Sequence, residues 1–193
     1  MPLEVADRFV VVLDANVLYP FRIRDALLRF AEAGLFRARW SSTIIDEWRR
    51  NLIAARPNLQ VSIDSQIAAM GRAFPESCVD GGQTLIESLT LPDPDDRHVL
   101  ATAIRTGAEH IVTENLKDFP ADSLNEYGIT AVSADDFLSS TFELYPAEAI
   151  TAIRLMRRDY DNPPFTPSEF IFDLQAKGLP KLASMLKENI DLL

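Results

Sequence analysis

A single cysteine, Cys78, excludes an internal disulfide framework and a cysteine-based zinc site. Its expected place is a partly buried thiol. Only two histidines are present, His98 and His110, and their separation is not that of paired metal ligands. With neither a second cysteine nor a histidine-based constellation, nucleophilic catalysis by a Cys–His or Ser–His pair finds no support. His98 is expected at a helix surface or boundary. The longest apolar run near the N-terminus, residues 9–13, is far too short to span a bilayer. It is also not a cleavable signal. Internal repeats and low-complexity tracts are absent, which excludes solenoids and disordered chains. A protein of the cytoplasm, without membrane partners, is the expectation that follows.

Basic charge is also scarce. Nineteen Lys and Arg face 29 Asp and Glu, giving a formal net charge of −10 and a pI near 4.7. Taken alone, that balance argues against non-specific nucleic-acid binding, which needs clustered cations, and net charge does not settle the partner. Yet 15 of the 19 basic residues are arginines, several of them grouped as Arg22/Arg24, Arg37/Arg39, Arg49/Arg50 and Arg154/Arg157/Arg158. Guanidinium forks suit bidentate contacts to phosphate or carboxylate. Pairing with surface acids is the plain expectation for them.

Hydrophobic residues make up 47% of the chain, enough for one substantial core. "VVVLDANVLYP" (10–20) begins as a strand buried on both faces and ends on Asp14 and Asn16. "YPFRIRDALLRFAEAGLF" has helical spacing and a glycine stop at Gly34, and "RARWS" reads as a short strand. "STIIDEWRRNLIAARP" carries Thr43 and Asp46 at capping-box spacing, and "LPDPDDRHVLATAIRTG" places Pro94 as a first helical residue. "EHIVTEN" and "ITAVSADDFLSS" add strands, the second followed by a helix capped by Ser133/Asp136. Strands alternating with helices predict an α/β fold, a parallel sheet flanked by helices, over residues 8–144. Residues 145–193 read as a C-terminal helical extension, with a helix start at Thr166, Pro167 and Glu169. Its expected role is a lid over apolar surface of the core.

Each acid of interest has a structural explanation. Asp14 could cap the turn after its strand, Glu47 suits the first turn of a helix, and Asp96 follows Asp93 at capping distance. Together they demand more. In a parallel sheet, ligands sit at the carboxyl ends of strands where the strand order reverses. Carboxylates gathered there repel, and a divalent cation, Mg²⁺ or Mn²⁺, relieves the repulsion. Such a centre suits phosphodiester hydrolysis.

"VVLDANVL", "SSTIIDEW", "DDRHVLATAI" and "IVTENLKDFP" come in the order of the motifs of PIN-domain ribonucleases, and the chain most resembles VapC-like toxins of bacterial toxin–antitoxin systems. The resemblance implies catalytic roles for Asp14, Glu47, Asp96 and the position of Asn115, with Asp14, Asp96 and Glu47 as metal ligands. Asn16, Thr113 and Asp118 would support them. The family's fourth acid, in a T-x-D-x-x-D-F pattern, is replaced here by Asn115, which adds no charge and cannot act as a base. Asp118 and Glu114 are the available substitutes. The resemblance further implies cleavage of structured RNA such as tRNA or rRNA, a small antitoxin partner (VapB-like or other) and a homodimer. A catalytically degenerate PIN scaffold that only binds a partner is the alternative. A HAD-like phosphatase would need a second acid where Asn16 stands.

Overall fold

The computed structural model describes residues 9–193; the expected domain start at residue 8 lies outside the described residues. Four short strands, β1 (Val10–Leu13), β2 (Arg37–Arg39), β3 (His110–Val112) and β4 (Thr130–Val132), form one sheet in the order β2-β1-β3-β4. Every pairing is parallel, with Val11 opposite Ala38 on one side and His110 on the other. β1 is interior to the sheet, and Val11, Val12 and Leu13 are fully buried, as the unbroken apolar run requires. The chain leaves β1 for β2 on one side and returns to β3 on the other. The order therefore reverses at β1, and the crevice above the carboxyl ends of β1 and β3 is the natural ligand site.

Seven helices connect and cover the strands: α1 (Ala15–Leu18), α2 (Phe21–Glu32), α3 (Ser42–Ala55), α4 (Gln60–Ala73), α5 (Gln83–Ile86), α6 (Arg97–Thr106) and α7 (Ala121–Leu124). Gly107 ends α6 in the left-handed conformation (φ 64°), and Ala108 N–H then bonds back to the Ala103 carbonyl, delivering the chain directly into β3. Two expected helix starts are corrected. α3 is capped by Ser41, whose Oγ accepts from Ile44 N–H at 3.3 Å, not by Thr43. The first turn is held from elsewhere in the chain, because Ser42 donates to Asp80. Pro94 opens a 3₁₀ turn, Pro94–Asp96, and the α-helix proper starts at Arg97.

The C-terminal region is helical: α8 (Ala134–Leu144), α9 (Pro146–Asp159), α10 (Pro167–Ala176) and α11 (Pro180–Glu188). Thr166 and Glu169 form the reciprocal capping box expected of them, and Ser133 caps α8. The buried Asp135 on α8 accepts the backbone N–H groups of Lys181 (2.8 Å) and Leu182 (3.0 Å), capping α11 from across the interface. Phe170, Leu174, Leu182 and Leu186 belong to the same buried cluster as β1. Each such burial contributes roughly 1.5–3 kcal/mol, so these helices share one core with the sheet. Among the described residues no helix is long and apolar enough to cross a membrane. Cys78, expected to be partly buried, is exposed.

Candidate metal centre at the β1–β3 crevice

Asp14 follows β1, so the strand that fills the core also carries this carboxylate to the crevice. It is 3% exposed. Three donors hold it: Ala15 N–H to Oδ1 at 2.6 Å, and Asn16 Nδ2 and Thr113 Oγ1 to Oδ2, each at 2.7 Å. Asp14 is thus also the N-cap of α1. Asn16 spends its amide on the scaffold, donating to Asp14 and Thr113 and accepting Glu114 N–H at 3.0 Å. It therefore orients Asp14. Burial pushes the Asp14 carboxyl above its ordinary range, the Thr113 hydrogen bond opposes this, and the charge of Glu47 adds to the rise.

Asp96 occupies the N-cap position of α6, but its side chain makes no capping hydrogen bond. The cap at this turn is Asp93, whose Oδ1 accepts Asp95 N–H at 2.9 Å. Asp96 Oδ2 is buried without a hydrogen-bond partner. Burial, followed by the charges of Asp14, Asp93, Asp118 and Glu47, pushes its pKa up to about 6. Carboxylate oxygens of Asp93, Asp96 and Asp118 lie within 4.8 Å of one another. An orphaned carboxylate oxygen among other carboxylates fits a hard divalent cation, which supplies the missing positive partner.

The remaining residues take distinct places. Asn115 accepts nothing from the cluster; its Nδ2 donates to Asp118 and its N–H bonds Thr113 Oγ1 at 3.1 Å. Through Asn115 the acid three residues later is turned into the crevice. Glu114 points away, capping α8 through Ala134 N–H at 3.0 Å. Glu47, on α3, pairs with His98 Nε2 on α6 at 3.2 Å. Sequence reasoning did not single out two residues that the fold brings beside the expected acids: Asp93, because a helix-start acid has a sufficient local explanation, and His98, because its partner lies on another helix. The density of acids in "DPDD" is the signal that could have drawn attention to Asp93.

Known protein families match two regions of the chain. A family model described as "PIN domain" matches residues 10–117, and one described as "VapC50 C-terminal domain" matches residues 134–188. A protein of Mycobacterium tuberculosis named "Putative ribonuclease VapC50" is 45% identical over 89 residues, 46% of this chain and 52% of the relative. The match thus spans about half of that relative's length. No solved structure matches the chain. The matched region contains the four parallel strands' first three members and every acid of the crevice except Asp118, which follows it by one residue. With more than half of its length matched, the chain belongs to the PIN-domain family.

Proposed function

We propose that the protein is a Mg²⁺- or Mn²⁺-dependent endoribonuclease that cleaves structured RNA, tRNA or rRNA, as the toxin of a toxin–antitoxin pair. The observation that carries this reading is Asp96: its Oδ2 is buried and unpartnered, its carboxylate lies within 4.8 Å of those of Asp93 and Asp118, and the charge of Asp14 also acts on it. Family membership and the name of the mycobacterial relative support it. The ligands would be Asp14 and Asp96, with Asp93 and Asp118 completing the set. A bound divalent cation lowers the pKa of its water and neutralises charge developing on the phosphate.

The chain's own residues do the rest. Three donors fix Asp14, so its oxygens need no reorganisation on binding. Glu47 is the acid next to the cluster whose partner is a histidine; it would take the proton of the attacking water, with His98 holding its carboxylate in place. Asn115 holds Asp118 and transfers no proton. A small antitoxin would inhibit by placing arginines on the acidic cluster. We further propose a homodimer acting in the cytoplasm.

The test is cleavage of a bulk tRNA and rRNA mixture with Mg²⁺ or Mn²⁺, comparing the wild type with Asp14→Asn and Asp96→Asn. Discrete fragments that vanish with EDTA and in both variants are expected. Fragments persisting in both variants would sink the mechanism. Absence of cleavage by folded, antitoxin-free protein, together with no metal binding, would favour the degenerate scaffold that Asn115 makes conceivable.

A further inference from the structure

Three arginines pair with acids: Arg22 with Asp173, Arg29 with Asp159, and Arg49 with Asp64 at 2.6 Å. Arg24 and Arg56 do not. Among the described residues, neither has a carboxylate within ion-pair distance. Arg24 is only 6% exposed, and its guanidinium bonds neutral oxygens, the Leu18 carbonyl at 2.7 Å and Gln66 Oε1 at 2.8 Å. Burial pulls its pKa down to about 10, and the nearby charge of Asp25 only partly opposes the fall. A buried charge is ordinarily paired.

Both arginines line one slot of about 270 Å³, together with Tyr19, Phe21, Leu52 and Gln66. Tyr19 and Phe21 are 39% and 52% exposed. Phe21 also lies 5.3 Å from the Arg24 guanidinium, and the Trp48 ring sits 4.8 Å from it on another side. The slot is close to the acids by construction. Asp14 and Tyr19 are separated only by α1, about 6 Å of helical rise. Along α3, Leu52 and Arg56 follow Glu47 by about 7–14 Å. Two guanidiniums that form no ion pair thus stand beside two part-exposed aromatic rings.

We propose that this slot holds one nucleotide of the RNA beside the scissile phosphate, its base on Tyr19 and Phe21 and its phosphate on Arg24 and Arg56. The inference rests on the ribonuclease reading and gives it a substrate-binding subsite. The combination of ring faces and guanidiniums favours a nucleotide over an acidic peptide, whose carboxylates would meet the arginines but leave the rings unused.

The experiment is a titration of the intact protein in EDTA with AMP, read by tryptophan emission in a Trp40→Phe background that leaves Trp48 as the reporter, alongside inorganic phosphate, adenosine and a glutamate-rich peptide. A saturable AMP response stronger than that to phosphate or adenosine is expected, weakened about fivefold or more in Arg56→Ala and in Tyr19→Leu. Unchanged melting temperatures would show both variants folded. In metal-supported RNA cleavage the same variants should raise KM about five- to tenfold with kcat nearly constant. AMP binding that is absent, or equal in wild type and variants, overturns the slot; RNA cleavage by the wild type would then leave the nuclease reading standing alone. A response to the peptide and none to AMP overturns it in favour of an acidic protein segment. AMP bound by the wild type and lost in the variants, with no RNA cleaved, supports the slot and sinks the nuclease reading.

Discussion

Thr113 Oγ1 donates to Asp14 Oδ2 at 2.7 Å, tying the carboxyl ends of β3 and β1 together across 99 residues of sequence. The same hydroxyl oxygen accepts from Asn16 Nδ2 at 2.9 Å and from Asn115 N–H at 3.1 Å. One buried atom therefore sets the aim of a carboxylate and the start of the Asn115–Asp118 turn. Thr113→Val preserves shape and removes all three bonds. It should cost about 1–3 kcal/mol of stability, because buried donors are left unmet. Metal affinity or activity should fall about 10–100-fold, the usual penalty for losing a residue that orients a ligand. Denaturant unfolding and a metal titration measure the two separately.

Asp14 and Asp96 should respond oppositely to amidation. Asp14 is surrounded by donors, so Asp14→Asn sets at least one N–H against another, and flipping Asn16 only moves the conflict to Glu114 N–H. Asp96 has no donor and four acidic neighbours, so Asp96→Asn removes repulsion and supplies a donor. Without metal at pH 7, Asp96→Asn should melt above the wild type, by roughly 1 kcal/mol in stability, and Asp14→Asn at or below it. Both should lose cleavage. Thermal melting in EDTA distinguishes them, and equal destabilisation by both would contradict the arrangement described.

The raised pKa of Asp96 fixes a pH dependence. Between its ordinary value of 3.8 and about 6, the folded protein keeps a proton that the unfolded chain releases. Stability of the metal-free protein therefore falls as pH rises through that window, and Asp14, also raised, adds the same sign. His110, held below its usual value by burial, acts in the opposite direction. Comparison with Asp96→Asn cancels the His110 contribution. The melting-temperature gap between wild type and this variant should widen from pH 5 to pH 7.5. Saturating Mg²⁺ or Mn²⁺ should raise the wild-type melting temperature more at pH 7.5 than at pH 5, since the ligands must be ionised.

What the sequence makes legible follows the range of the forces involved. β1 is readable because a central parallel strand is apolar on both faces, and Val10–Leu13 is four such residues ending in an acid. The Thr166–Glu169 box is readable because its bonds span three residues. Thr43 and Asp46 show the same spacing and do not cap, because Asp80, far along the chain, fixes the first turn and moves the cap to Ser41. Asp93 and Asp96 exchange their expected weights for a related reason. Capping satisfies the first and leaves the second bare, and only the tertiary placement of Asp14 and Asp118 reveals what the bare acid faces. His98 is hidden equally, since α3 and α6 meet only in the folded chain.

Asn115 is a donor in this site, so returning an acid there should not simply improve it. Asn115→Asp puts a carboxylate against Asp118 in place of an N–H. Metal-free stability should drop by about 1–2 kcal/mol, and divalent metal should restore it by binding more tightly than in the wild type. Asp118→Asn should instead weaken metal binding about tenfold or more. Calorimetric titration with Mn²⁺ reads both. Tighter binding in Asp118→Asn would show that the fourth acid is not residue 118.

The C-terminal helices are attached by a polar contact as well as by apolar burial. Asp135 is 8% exposed on α8, and its two oxygens accept the first N–H groups of α11. A carboxylate at a helix N-terminus gains from both the hydrogen bonds and the helix dipole. Asp135→Ala leaves two buried donors unmet and should cost about 1–3 kcal/mol, a fall of several degrees in melting temperature for a chain of this size. Because α11 packs on α8, and Leu182 and Leu186 share the core cluster with β1, the loss should appear as a lower single transition. Separate melting of the C-terminal helices, seen as a second transition in calorimetry, would contradict the shared core. Asp135→Asn keeps an acceptor for one of the two N–H groups and should recover about half of the loss.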